Sequence, residues 1–165
     1  MILFAFTSTG LGLDIRFDVP EEQVEVLVSY FCKAVEDVMN LDQEPIEQAA
    51  LRYRQAREED QRELHWHSIC TKYEDILMKH YRILATRTAR FFTKLMVGNV
   101  KIENVCRGPS SFGFSFRCKS TDGLLELQKL IASGELYELC GSITLSCINQ
   151  PMPLCYRMSL TADAG

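Results

Sequence analysis

Between Leu41 and Val97 the chain carries one long run with the period of a helix, and after Gly98 the period becomes that of strands. This change of period constrains the fold more than any single motif, because side-chain directions repeat about every 3.6 residues in a helix and every two in a strand. Asp42 and Pro45 suit the start of the run and Gly98 its end. Ile69, Tyr73, Ile76, Leu77, His80, Leu84, Thr88, Phe91 and Leu95 mark one face of it. The middle, Arg52 to Glu63, is nearly all charged or polar and offers acid–base pairs at i to i+4 instead of a core face. One unbroken helix from Ile46 to Val97 would be ~78 Å long at 1.5 Å per residue, longer than a domain of this size. The run therefore either breaks near Glu58–Gln61 or projects to pair with a second copy of the chain.

The flanks are short and alternate. Residues 2–7 are apolar and aromatic, and after Gly10 the apolar Leu11, Leu13, Ile15 and Phe17 alternate with Gly12, Asp14, Arg16 and Asp18, the pattern of a half-buried strand. Asp18-Val19-Pro20-Glu21-Glu22 opens a helix, with a proline and acids at the positive end of the macrodipole. Val24, Leu27, Val28, Phe31, Val35, Val38 and Met39 then form one stripe, with Asn40 as its C-cap. Beyond Gly98, the Val100, Ile102 and Val105 region predicts a strand and Arg107-Gly108-Pro109-Ser110 a turn. Phe112, Phe114 and Phe116, alternating with Gly113, Ser115 and Arg117, make the clearest strand in the sequence. Ser120-Thr121-Asp122-Gly123 caps a helix that ends around Ser133-Gly134. Leu136, Leu139, Ile143, Leu145 and Cys147 lead through a Pro151–Pro153 turn to a last strand with Leu154, Tyr156, Met158 and Leu160. The order strand, helix, strand, strand, helix, strand predicts an α+β, ferredoxin-like antiparallel sheet with helices on one face. The expectation is a single αβ-sandwich domain over 1–165, with 41–97 as an inserted helix or helical hairpin.

At 165 residues the chain is long enough to bury a core without a disulfide or a metal. Its net charge of −4 and pI near 5.4 argue against a protein whose main task is gripping nucleic acid. No apolar run approaches the ~20 residues needed to span a bilayer, and Ile2 to Phe6 lacks the basic flank of a signal peptide. Seven cysteines without regular spacing indicate reduced thiols and a cytoplasmic protein.

Catalytic constellations are thin, and no cofactor is implied. His65 and His67, at i and i+2, point apart on a helix; His67 with Cys70 supplies two zinc ligands at most, with nothing local to complete the set. No phosphate loop and no nucleophile elbow is present. The alternating aromatics at 112, 114 and 116 have an RNA-binding alternative, since RRM sheets stack bases on such a strand. Here Ser110-Ser111 replace the basic-Gly pair of that signature, so core packing is the preferred reading and no nucleic-acid partner is expected. From Leu77 to Ile102 there is no acid, and Lys79, Arg82, Arg87, Arg90 and Lys94 make a basic surface suited to helix-end capping or to docking a partner.

Two stretches carry a resemblance to a known family. Phe4-Ala5-Phe6-Thr7-Ser8 with Pro20-Glu21-Glu22-Gln23-Val24, and then Arg107, the strand Phe112 to Cys118, the helix Leu125 to Leu136 ending in Ser133-Gly134, and Pro153 to Met158, resemble the N-terminal, TRAF-binding domain of the TRADD adaptor family. The resemblance covers about 100 of the 165 residues; the 41–97 run is far longer than that family's link, and no death domain follows residue 160. It implies a non-enzymatic αβ sandwich in apoptosis and innate-immunity signalling that docks a TRAF-type protein through exposed sheet and turn residues. Phe4, Phe6 and Arg107 fall where that family's partner-facing residues fall. A self-associating scaffold, a homo-oligomer through 46–97, is the other protein-interaction reading.

Overall fold

The computed structural model describes residues 10–154 and 156–162. The elements in chain order are β1 (Leu11–Asp18), α1 (Glu21–Met39), α2 (Gln43–Gln55), α3 (Glu59–Tyr81), a 3₁₀ turn (Arg82–Leu84), α4 (Ala85–Val97), β2 (Val100–Gly108), β3 (Ser111–Cys118), α5 (Thr121–Ala132), α6 (Glu135–Ile148) and β4 (Tyr156–Ala162). The chain divides into two compact units, one made of residues 1–32 and 100–165 and the other of Lys33–Asn99.

The first unit is α+β. Its four-stranded antiparallel sheet has the order β2-β3-β1-β4. Alternation along β1 puts Leu13, Ile15 and Phe17 on one face, in register with Phe116, Phe114 and Phe112 of β3. All six are buried. Helix α1 covers these rings with Phe31, whose ring centroid is 4.9 Å from that of Phe114 and 5.6 Å from that of Phe112. Tyr137 of α6 approaches Phe17 on the same face, and its hydroxyl donates to the Met152 and Pro153 carbonyls.

Local chemistry sets the helix ends. The first helical bond of α1 runs from the Val24 N–H to the Pro20 carbonyl, and Glu21 and Glu22 occupy its positive end. Ser120 Oγ accepts from the Gly123 N–H at 3.0 Å and starts α5. Gly134, at φ +83°, separates α5 from α6, a conformation glycine adopts without penalty. Helix α6 is an element that the expected order of strand, helix, strand, strand, helix, strand lacks. Its buried Leu136, Leu139, Cys140 and Ile143 are spaced three, one and three apart, which is a helical stripe. The predicted turn at 107–110 is also shorter than expected: β2 runs through Gly108, leaving Pro109 and Ser110 between the strands.

The second unit holds the helical run as three helices. Asp42 caps α2 by accepting from the Glu44 N–H at 3.2 Å. The first break lies at 56–58, just before the expected position, and α3 starts at Glu59. A second break at Arg82, which periodicity did not predict, turns α4 back along α3. Tyr73 and Phe92 meet across the pair with ring centroids 6.1 Å apart, and Cys70 Sγ lies 3.1 Å from Thr93 Oγ1. Helix α4 buries Thr88, Ala89, Phe91, Phe92, Thr93 and Leu95. The two buried threonines satisfy their hydroxyls by donating to the Leu84 and Ala89 carbonyls. His80, expected on the apolar face, is exposed.

Candidate partner-binding surface

Of the three residues placed on a docking surface by resemblance, Phe4 and Phe6 lie outside the described residues. Arg107 is in β2, one residue before its end, and exposed. It stands opposite Phe112 in the β2–β3 register, so it shares the helix-covered face, and its guanidinium pairs with Glu25 of α1. Both partners are more than half exposed, so this ion pair contributes little to stability and leaves Arg107 available to an incoming carboxylate.

The opposite face of the sheet is polar. It carries Asp14, Arg16 and Asp18 from β1, Ser111, Ser115 and Arg117 from β3, and Arg157 and Ser159 from β4. Arg157 reaches Asp18 at 3.1 Å, and Arg117 reaches Glu103 of β2 at 3.0 Å. Gly113 lies under Arg16: a Cβ at that position would meet the Ile15 carbonyl oxygen and would stand 2.9 Å from Arg16 Nη1.

Phe112, Phe114 and Phe116 are 0%, 0% and 1% exposed. A ring must be open to a base to stack on it, so these three form no base-stacking platform. Sequence alternation alone does not distinguish a buried aromatic row from an exposed one; the packing of Phe31 against it decides the matter.

Exposed apolar side chains occur on several helices, at Met39, Leu64, Leu125 and Leu145 among others, and also along the outer edge of the sheet. Among the described residues strand β4 pairs with β1 alone, and Tyr156 and Met158 stand opposite Phe17 and Ile15 on the helix-covered face. They are nevertheless 41% and 49% exposed, and Leu154 just before them is 90% exposed. Tyr156 keeps one ring contact with Phe17, centroids 5.6 Å apart. The alternation of this strand was legible in the sequence, but its exposure follows from the edge position that the topology gives it.

In the second unit the basic residues divide between elements. Lys79 ends α3, Arg82 is in the 3₁₀ turn, and Arg87, Arg90 and Lys94 follow at i, i+3 and i+7 along α4. Lys79, Arg82, Arg87 and Arg90 are exposed and Lys94 half-buried. The reversal at Arg82 places them on antiparallel helices, so they do not form the single linear stripe that the sequence suggests.

Thiols and imidazoles are dispersed. Cys32, Cys70, Cys106, Cys118, Cys140 and Cys147 are free thiols. Burial pushes the Cys118 thiol up to about 11 and raises Cys140 strongly, which keeps both protonated and chemically quiet. Burial likewise raises Cys70, against a lowering from its hydrogen bond to Thr93. His67 is exposed, while Cys70, its candidate co-ligand, turns to Thr93. Among the described residues no group of three or more His, Cys, Asp or Glu side chains gathers to hold a metal ion, and no helix is long and apolar enough to cross a membrane.

Compared with known protein families, with curated proteins and with solved structures, the chain matches none of them.

Proposed function

We propose that this chain is a non-enzymatic, cytoplasmic protein-interaction module, a ferredoxin-like sandwich with a helical unit inserted between its first helix and second strand. The strand order β2-β3-β1-β4 and the helices on the Phe112–Phe116 face support that architecture. The boundary of the helical unit at Lys33–Asn99 supports the insertion. The observation that carries the function is the apolar sheet edge. Leu154, Tyr156 and Met158 leave a run of exposed hydrophobic surface on an edge strand, where an interaction site is favoured over a solvated face. The resemblance to the TRADD N-terminal domain gives the partner as a TRAF-type signalling protein and the pathway as apoptotic or innate-immune. Phe4, Phe6 and Arg107 then belong to the same function, with Arg107 offering the charged contact.

Titration of the chain with a TRAF-type domain, followed by surface plasmon resonance, tests this reading. Met158→Ser and Tyr156→Ser should each weaken binding by about tenfold or more while leaving thermal unfolding nearly unchanged, because interface energy concentrates in a few apolar anchors. Absence of saturable binding up to about 100 μM, or binding that neither variant disturbs, would overturn it.

A further inference from the structure

Helices α3 and α4 are joined by a backbone conformation that the local sequence does not call for. Arg82 has φ +40° and ψ −101°, a region where a side chain with a Cβ is strained and which glycine enters freely. The joint Tyr81-Arg82-Ile83-Leu84 contains neither glycine nor proline, and Ile83 within it is 90% exposed. The buried positions keep one helical phase across it. Ile69, Tyr73, Leu77, Leu84, Thr88, Phe91 and Leu95 advance by four, four, seven, four, three and four residues, as on an unbroken helix. The α2–α3 joint differs, since Ala56 and Glu58 hold ordinary extended backbone at φ −68° and −95°.

The bend at Arg82 is thus imposed by the packing of the α2–α3 hairpin on α4. Three of the contacts that hold the hairpin on α4 are specific. Tyr73 meets Phe92, Cys70 meets Thr93, and Arg54 Nη1 donates to the Met96 and Val97 carbonyls at 3.1 and 3.3 Å. Each is satisfied equally well when the hairpin and the α4 helix belong to different chains. The two ends of the hairpin also lie beside one place, the last turn of α1. Gln43 Nε2 donates to the Val38 carbonyl at the end of α1, and His80 Nε2 of α3 lies 3.9 Å from Asp37 Oδ2. Residues 40–42 and 82–84 therefore form a single two-stranded hinge.

We propose that the α2–α3 hairpin, residues 43–81, exchanges between two copies of this chain. On exchange Arg82 relaxes to helical backbone, α3 runs on into α4 as one helix, and each hairpin packs on the α4 of the other copy. The packing contacts of the closed form are remade between chains, and the strain at Arg82 is released once per chain. A short hinge under strain is the condition that favours such an exchange. This inference does not depend on the docking of a TRAF-type partner.

The Cys70–Thr93 contact supplies the test. Because Sγ and Oγ1 are 3.1 Å apart, a Thr93→Cys chain should form a disulfide with Cys70 under mild oxidation. The 165-residue chain is partly unfolded in denaturant, refolded at about 0.5 mM, and separated by size with light scattering. The expected result is a dimer in which this disulfide joins two chains, seen as a covalent dimer without reductant and assigned by peptide mass spectrometry. Unsubstituted protein serves as the control for the other thiols. Arg82→Gly removes the strain without disturbing the packing and should shift the equilibrium toward monomer by about tenfold or more in the dissociation constant. That variant is read by light scattering alone, so it still decides the matter where Thr93→Cys fails to fold. A chain that stays monomeric, a dimer whose Cys70 disulfide remains within one chain, or a dimer indifferent to Arg82→Gly would each overturn the proposal.

Discussion

Phe114 stands where three rings converge, and its truncation measures how much of the first unit rests on the aromatic row of β3. Its ring centroid lies 4.9 Å from Phe31, 5.2 Å from Phe112 and 5.3 Å from Phe116, and its side chain is fully buried. Phe→Ala at a buried site costs roughly 3–5 kcal/mol, the lost transfer energy plus the cavity that remains. Edge-to-face and offset contacts of this kind add about 0.5–1.5 kcal/mol each beyond the buried area. Two neighbours lie on the same strand and cannot close the gap without shifting the β1–β3 register, so Phe114→Ala should fall at the top of that range, at about 4–5 kcal/mol. Against a total stability of about 5–15 kcal/mol this is a large fraction. The assay is urea unfolding followed by far-ultraviolet circular dichroism, with Ser115→Ala as the control. Ser115 points to the opposite face and should cost less than about 1 kcal/mol. A loss below about 1 kcal/mol for Phe114→Ala at an unchanged m-value would refute the core assignment.

Other consequences follow from particular contacts. Gly113→Ala forces a Cβ against the Ile15 carbonyl oxygen and should cost about 1–3 kcal/mol, measured by the same unfolding curve. Ser120→Ala removes the acceptor for the Gly123 N–H and should cost about 1 kcal/mol, whereas Ser120→Asp should restore most of it. The Cys118 thiol keeps its proton to about 11 in the folded chain but loses it near 9.0 in the unfolded one. The folded state therefore holds more protons between those values, and stability should decline as pH rises above 9, a trend that Cys118→Ala flattens. A maleimide at neutral pH should label the exposed Cys32 and Cys147 quickly and reach Cys118 and Cys140 only with unfolding, as peptide mass spectrometry would register.

Much of the fold was legible where local chemistry and long-range packing agree. Helix α1 was readable from Pro20-Glu21-Glu22 and a stripe running to Met39, and the β1 and β3 strands from their alternation, because each repeats one period over its whole length. Helix α6 was missed although Leu136, Leu139, Cys140 and Ile143 carry a helical spacing. The bend at Arg82 left no local signal, since it is a tertiary effect on a sequence that continues its helical phase. The proposed docking surface was legible only in part. Arg107 was singled out, but its pairing with Glu25 depends on how α1 crosses the sheet. Nothing in Leu154, Tyr156 and Met158 distinguishes an edge from a centre until the strand order is known.

Hydrogen exchange of the chain, free and saturated with a TRAF-type domain, tests the central claim most directly. The account predicts that amide protection on binding concentrates in Leu154–Ala162 and at the Arg107 end of β2, where the open apolar edge and its charged neighbour lie. Protection confined to α4, or no change anywhere in the chain at saturating partner, would contradict it.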